Sequence, residues 1–257
     1  MCKPLHYQVK YKINPWMKLG SVNPKKALSQ WNKLAETYKK LGINVHVLDQ
    51  EKDLPDMVFS ADQGINIGNK IILSNFRCQE RQGESKFYND WYKKFRIETI
   101  ELQKDVYFEG EGVAVKFENN LFVGTGYRTN SQTISYLQNI LREKVIDLEL
   151  VDEKFYHLDI CFFVLDNKYA FYYPPAFSKA SVKAIKSTVY NLFELEEREL
   201  LLFAANSVSL GKYVLIQSGN DHFASIVRTL GYTPIMLDVS EFMKAGGGIH
   251  CLTGALN

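Results

Sequence analysis

Residues 57–76 read MVFSADQGINIGNKIILSNF. Two short isoleucine-bearing runs flank Gly68-Asn69, a pair of residue types that a tight hairpin turn needs. The same strand–turn–strand plan recurs in VYFEGEGVAVKFENNLFVGTGY (106–127), FYHLDICFFVLDNKYAFYYPP (155–175) and LLFAANSVSLGKYVLIQSG (201–219). Their turns carry Asn119-Asn120, Asp166-Asn167 and Gly211. A fifth copy opens with IHCLTGALN (249–257), and its partner strand is expected in LHYQVKY (5–11), which would join the two ends of the chain. A repeat of this length signals a modular architecture.

Between the hairpins lie helical patterns. NPKKALSQWNKLAETYKKLG (23–42) offers Asn23 as N-cap, Pro24 at the first helical position and Gly42 as a stop. Leu28, Trp31, Leu34, Ala35 and Tyr38 recur at helical spacing, so one face is expected to be buried. Four further helices are expected within 83–95, 129–141, 178–190 and 220–231, each followed by a short β-rich run. The reading is one domain over residues 1–257: an α/β fold, a five-bladed pseudo-symmetric α/β propeller of ββαβ repeats. Closing the ring through the termini removes exposed sheet edges.

Composition narrows the partners. The 257 residues are 46% hydrophobic and 23% charged, with net charge +2, which is ordinary globular chemistry without a nucleic-acid or anionic-membrane footprint. Apolar runs such as ICFFVL and LLLFAA are too short to span a bilayer. The first twenty residues lack a signal-peptide core. Cys2, Cys78, Cys161 and Cys251 are far apart and read as free thiols in a reducing compartment. The expectation is a cytoplasmic protein.

The period also aligns polar residues. Asp62, Glu109, His157, Asn206 and Cys251 recur at separations of 47, 48, 49 and 45, at what reads as the first strand of each hairpin. In a pseudo-symmetric ring, equivalent positions converge on the axis. His157, Asp159 and Cys161 are spaced to share one strand face, and such a trio could bind zinc. No second ligand cluster accompanies it, so no metal is expected, and Cys161 among Ile160, Phe162 and Phe163 reads as a buried small hydrophobe. Gly246, Gly247 and Gly248 run into His250-Cys251, as in a loop whose backbone approaches a substrate. Carboxylates around a thiol raise its pKa and disfavour the thiolate. That arrangement makes sense for a cationic substrate, because the guanidinium fork suits paired carboxylates. Each such pair at about 4 Å is worth ~1 kcal/mol in water and ~4 kcal/mol at an effective dielectric near 20.

The set MVFSAD, FEGEG, HLD and GGGIHCLT resembles the guanidino-group modifying enzymes: arginine deiminases, dimethylarginine dimethylaminohydrolases, arginine dihydrolases and amidinotransferases. The resemblance covers essentially the whole chain and implies the pentein fold, the five-bladed propeller named above. It implies Cys251 as nucleophile, His157 as general acid/base, and Glu109 as the glutamate that contacts substrate and orients the histidine. Asp62 and Asp159 resemble the carboxylates that grip the guanidinium. Arg128 resembles the arginine that binds a substrate α-carboxylate, with Arg81 as its second partner, Arg77 as a weaker candidate, and Asn14 reaching the site from the N-terminal segment. Two positions depart from the family pattern: Val113 stands where Asp often follows the FEG glutamate, and Asp62 stands where the dihydrolases carry Asn.

What the resemblance implies is hydrolysis of arginine or an N-methylated arginine through a covalent cysteine intermediate, without metal or organic cofactor. The partner expected is a small guanidino compound, not nucleic acid or membrane, and a homodimer is compatible with the sequence. Amidinotransfer to an acceptor amine uses the same residues and stays open. A non-catalytic pentein ring, like the ribosome anti-association factor, should lack the Cys, His and acid set. A cysteine protease finds no support beyond Cys and His.

Overall fold

The computed structural model describes residues 1–256. It contains four three-stranded sheets and one two-stranded sheet. In each three-stranded sheet the second hairpin strand lies in the middle. Lys70–Leu73 pairs antiparallel with Gly64–Ile67 and parallel with Glu98–Ile100, which returns after the helix Glu84–Lys94. Asn120–Thr125 does the same with Ala114–Phe117 and Lys144–Glu149, around the helix Ser131–Ile140. Tyr169–Tyr172 joins Phe162–Val164 and Asn191–Glu194, and Tyr213–Gln217 joins Val208–Leu210 and Thr233–Leu237. These are the ββαβ units that the hairpin spacing predicts.

Local chemistry explains the elements. In three hairpins the first loop residue sits in the left-handed region: Gly68 at φ 62°, Glu118 at 52° and Gly211 at 57°. The second turn is thus Glu118-Asn119, one residue earlier than the expected Asn119-Asn120, and Asn120 is already in the strand. Asn23 caps the helix Pro24–Lys40 by accepting from Lys26 N, as its position predicts. The face carrying Trp31, Leu34, Ala35 and Tyr38 is buried against Val58, Phe59, Phe242 and Ile249. Aromatic side chains of the second to fourth units, among them Phe122, Phe162, Phe171 and Phe223, fill a second core.

The fifth unit differs from the expectation. Cys2–Lys3 pairs parallel with Leu48–Asp49, and neither 5–11 nor 249–256 forms a strand. Pro4 has no N–H to donate and ends the pairing after two residues. The C-terminal segment is a turn whose backbone is committed elsewhere: Ala61 N donates to Cys251 O at 3.1 Å, and His250 N donates to Asn206 O at 3.1 Å. Asn257 lies outside the described residues.

The in-register polar residues do not lie on strands either. Four sit on short turns that enter the hairpins, Ser60–Gln63, Gly110–Val113 preceded by Glu109, Leu158–Ile160 preceded by His157, and Ala204–Asn206, and the fifth sits on the C-terminal turn at Cys251. These turns pack on one another around the axis, and the two backbone bonds above link the last turn to the first and fourth. The His157–Asp159–Cys161 trio therefore shares no strand face. Cys161 is fully buried, with its thiol against His157 O and Leu158 O. Val113, the departure from the family pattern, is a fully buried core residue beside Ile72, Phe108 and Val123.

Gly110 marks the tightest passage between the first two turns. Its φ is +55°, and a Cβ there would lie 2.6 Å from Ala61 O. Left-handed backbone costs a residue with a side chain about 1–2 kcal/mol before any clash. Gly110→Ala should therefore lower unfolding free energy by at least ~2 kcal/mol in denaturant titration. An unchanged midpoint would show that the turns do not approach this closely.

Candidate active site

Each turn delivers a buried polar side chain to the axis, Asn206 from the fourth among them, and the third turn delivers two, His157 and Asp159. Cys251, His157, Glu109, Asp62 and Asp159 are between 0% and 3% exposed. The Cys251 sulfur lies 3.2 Å from Asp159 Oδ2 and 3.1 Å from Asn206 Nδ2. It comes within 4.8 Å of a carboxylate oxygen of Asp62. Asp62 Oδ1 in turn is 3.7 Å from His157 Nδ1. Thiol, imidazole and two carboxylates thus share one buried space.

Each of these groups is anchored on one side. His157 Nε2 lies 2.8 Å from Glu109 Oε2; a carboxylate can only accept, so Nε2 carries the proton and Nδ1 faces Asp62. Asp62 Oδ2 accepts from Arg81 Nη1 at 2.7 Å. Asp159 Oδ2 accepts from Asn206 Nδ2 at 2.8 Å and is 2.9 Å from His250 Nδ1. The opposite side of each has no protein partner: Asp62 Oδ1, His157 Nδ1 and Asp159 Oδ1 are buried and unpaired among the described residues. A buried polar group left unpaired costs about 1–3 kcal/mol, and more if charged. Three of them around one sulfur form a site built for a ligand that donates.

Charge follows the geometry. Burial, reinforced by Asp159 and Asp62, pushes the Cys251 thiol well above its ordinary range. Burial also raises Asp62, against the pull of His157 and Arg81. Burial would raise Glu109 too, but Arg128 and the His157 hydrogen bond overcome it and hold the carboxyl at about 2. A carboxylate oxygen of Asp62, one of Asp159 and the Cys251 sulfur lie within 4.8 Å of one another, close enough to attract a cation. Arg81 and His250 already offset part of the two carboxylates' charge, so the balance suits a monovalent planar cation better than a dication.

The residues marked in the sequence divide by position. Arg128 stacks over the Tyr156 ring at 4.7 Å, donates to Glu109 at 3.0 Å and to Ile13 O at 2.8 Å, and borders an open cavity of about 630 Å³. Asn14 lines the same cavity, holding Ala245 O beside Gly246. Arg81 is not in that cavity. Its guanidinium is taken up by Asp62, both oxygens of Glu84 and Asp56 O, so in this structure it braces Asp62 instead of offering a clasp for a carboxylate. The arginine that lines the cavity beside Arg128 is Arg77.

Several contributors carried no assigned role in the sequence. Asn206 was in register; its amide donates to Asp159 and sulfur, and its oxygen accepts from the N–H groups of Gly248 and Cys251. Glu84 follows Arg81 by three residues, a spacing that could have flagged the pair, and burial raises it to about 7 despite Arg81. Tyr156 OH donates to Gly246 O at 2.8 Å and fixes the glycine loop, where Gly246 has φ +92°. Nothing in the sequence distinguishes Tyr156 from its aromatic neighbours.

A five-unit ring enclosing a buried thiol, imidazole and carboxylate centre is the pentein architecture of the guanidino-group modifying superfamily. Residues 12–256 match the family described as eukaryotic N,N-dimethylarginine dimethylhydrolase, and the chain belongs to it. It is 36% identical over 260 residues to the bifunctional arginine dihydrolase/ornithine cyclodeaminase AgrE of Nostoc sp., covering 98% of this chain and 37% of that protein. The chain therefore spans little more than a third of that relative's length. It is 33% identical over 254 residues to the N(G),N(G)-dimethylarginine dimethylaminohydrolase of Mycobacterium tuberculosis, covering 98% and 83%. The product-bound N-terminal domain of ArgZ, an arginine dihydrolase from the ornithine–ammonia cycle in cyanobacteria, superposes with a TM-score of 0.95 at 34% identity, covering 98% and 94%.

Gly112 lies against the anchored pair. A Cβ there would stand 2.6 Å from Asp62 Oδ1 and 2.7 Å from His157 Nδ1. Gly112→Ala should fold but reduce turnover at least ~100-fold, since a misplacement of about 1 Å costs that much. Near-normal activity would mean that neither atom faces the reaction. Glu109 gives a pH prediction. Its folded pKa of about 2 lies below the usual carboxylate range, so its contribution to stability is full above pH ~4.5 and is lost as pH falls toward 2. Glu109→Gln should flatten the acid limb of a stability-versus-pH curve; an unaltered limb would contradict the assignment.

Proposed function

We propose that the protein hydrolyses the guanidinium group of arginine or an N-methylated arginine through a covalent intermediate on Cys251. One observation carries this reading: a carboxylate oxygen of Asp62 and one of Asp159 lie within 4.8 Å of the buried Cys251 sulfur, and Asp62, Asp159 and His157 each leave one buried polar atom unpaired. A guanidinium supplies what that space wants. Its N–H groups donate to Asp62 Oδ1 and Asp159 Oδ1, and its charge offsets the carboxylates that otherwise suppress the thiolate. The cavity lined by Lys12, Arg77 and Arg128 suits the carboxylate at the other end of an arginine-like molecule.

The chemistry then runs in two steps. As the guanidinium binds, the Cys251 thiol passes its proton to His157 Nδ1, and the resulting thiolate attacks the guanidinium carbon and forms a C–S bond. The C–N bond to the departing amine breaks, and His157 Nδ1 supplies the proton that the amine carries away. Water next attacks the carbon of the thiouronium, His157 Nδ1 takes a proton from it, and the C–S bond breaks to restore the thiolate. Glu109 on Nε2 fixes the imidazole's tautomer through both steps. Arginine would give citrulline and ammonia, a methylated arginine citrulline and a methylamine, and a second round of hydrolysis ornithine, carbon dioxide and ammonia.

A panel of guanidino compounds with product identification by mass spectrometry tests the reading. Turnover is expected on at least one compound bearing an α-carboxylate. Cys251→Ser should lose roughly 10⁴-fold or more. His157→Ala should lose about 10²–10⁴-fold and accumulate the covalent species. Full activity in Cys251→Ser would end the covalent mechanism, and a wild-type protein inert across the panel would end the proposal.

A further inference from the structure

His250 precedes the cysteine but faces the other way. Its Nδ1 meets Asp159 Oδ2 at 2.9 Å, the oxygen that also contacts the Cys251 sulfur. Its side chain is 25% exposed, whereas Cys251 and Asp159 are 2% and 3% exposed. The exposed part opens into a second cavity of about 930 Å³, lined by Glu111, Lys116, Asp159, Ser207 and Thr253 among others. This cavity shares no lining residue with the one at Arg128.

We propose that His250 is a positioning residue for the site: from behind Asp159 it fixes one carboxylate oxygen, leaves the other turned to the substrate, and lends a positive charge that eases ionisation of Cys251. The geometry separates these jobs. With Oδ2 held by the Asn206 amide and the imidazole, the Asp159 carboxylate is fixed, and Oδ1 stays buried and unpaired. The imidazole is far more exposed than Asp159 or the sulfur, so it can exchange its proton with solvent while the sulfur stays buried. The charged groups that face it are Asp159, Glu111 and, farther off, Asp62; Lys116 lies beside Glu111 and opposes it. Burial disfavours the imidazolium, but the bond to Asp159 and these carboxylates outweigh it and raise its pKa above the ordinary value. Below that pKa His250 carries its charge. As pH rises through it, the charge is lost while Nδ1–H stays on Asp159.

That His250 orients a group for a guanidinium rests on the function proposed above; its effect on the thiol does not. The test therefore reads the thiol. Alkylation of Cys251 by iodoacetamide is followed from pH 6 to 9 by peptide-resolved mass spectrometry, which separates it from Cys78. His250→Asn keeps an N–H for Asp159 but removes the charge. Its rate should fall about tenfold below wild type at pH 6, and the two rates should approach each other as pH rises through the His250 titration. Glu111→Gln removes a carboxylate that favours the imidazolium and should move the convergence to lower pH. Should His250→Asn not fold, the wild-type and Glu111→Gln profiles carry the test: a break at the His250 titration, displaced downward in Glu111→Gln. A ratio constant with pH, no difference at pH 6, or a break that Glu111→Gln leaves in place would overturn the proposal. A wild type that turns over no guanidino compound would sink the proposed function and leave these profiles readable.

Discussion

Two half-satisfied carboxylates govern this structure. Asp62 and Asp159 each have one oxygen saturated by the protein, by Arg81 in one case and by Asn206 and His250 in the other. Each has its other oxygen buried without a donor. Saturating one oxygen keeps the carboxylate from turning, and leaving the other bare stores free energy that a bound cation releases. Burial and both carboxylates oppose ionisation of the thiol between them.

The rest of the fold serves this balance. An arrangement of buried charge is tolerated only where the backbone cannot relax away from it. Here four turns are held by their sheets on the outside and by one another on the inside, and the bonds Ala61 to Cys251 and His250 to Asn206 tie in the fifth. Glycines stand where turns meet: Gly110 against Ala61 O, Gly112 against Asp62 and His157, Gly248 against the Asn206 amide. Glu84 illustrates the cost. It is fully buried, its pKa is raised to about 7, and both its oxygens accept from Arg81, whose third nitrogen reaches Asp62.

Much of this was legible from residue types and spacing. The hairpin turns, the helix caps and the period of 45 to 49 residues determine the ββαβ units, because turn chemistry and amphipathic period are local properties. The convergence of Asp62, Glu109, His157 and Cys251 follows from that period. What the sequence could not show is orientation. A spacing of i, i+2, i+4 puts His157, Asp159 and Cys161 on one face only if the segment is extended. It is a helical turn, and Cys161 points into the core. Arg81 reads as a ligand clasp until Glu84 and Asp56 O are seen around it. The short fifth sheet likewise turns on Pro4 and on backbone bonds to distant turns, which no local pattern encodes.

The most direct test of the central claim is a crystal structure of Cys251→Ser soaked with arginine. The account requires guanidinium nitrogens within ~3 Å of both Asp62 Oδ1 and Asp159 Oδ1, with the carbon facing residue 251. A guanidinium seated elsewhere, with those two oxygens bonded to water or to a metal ion, would contradict it.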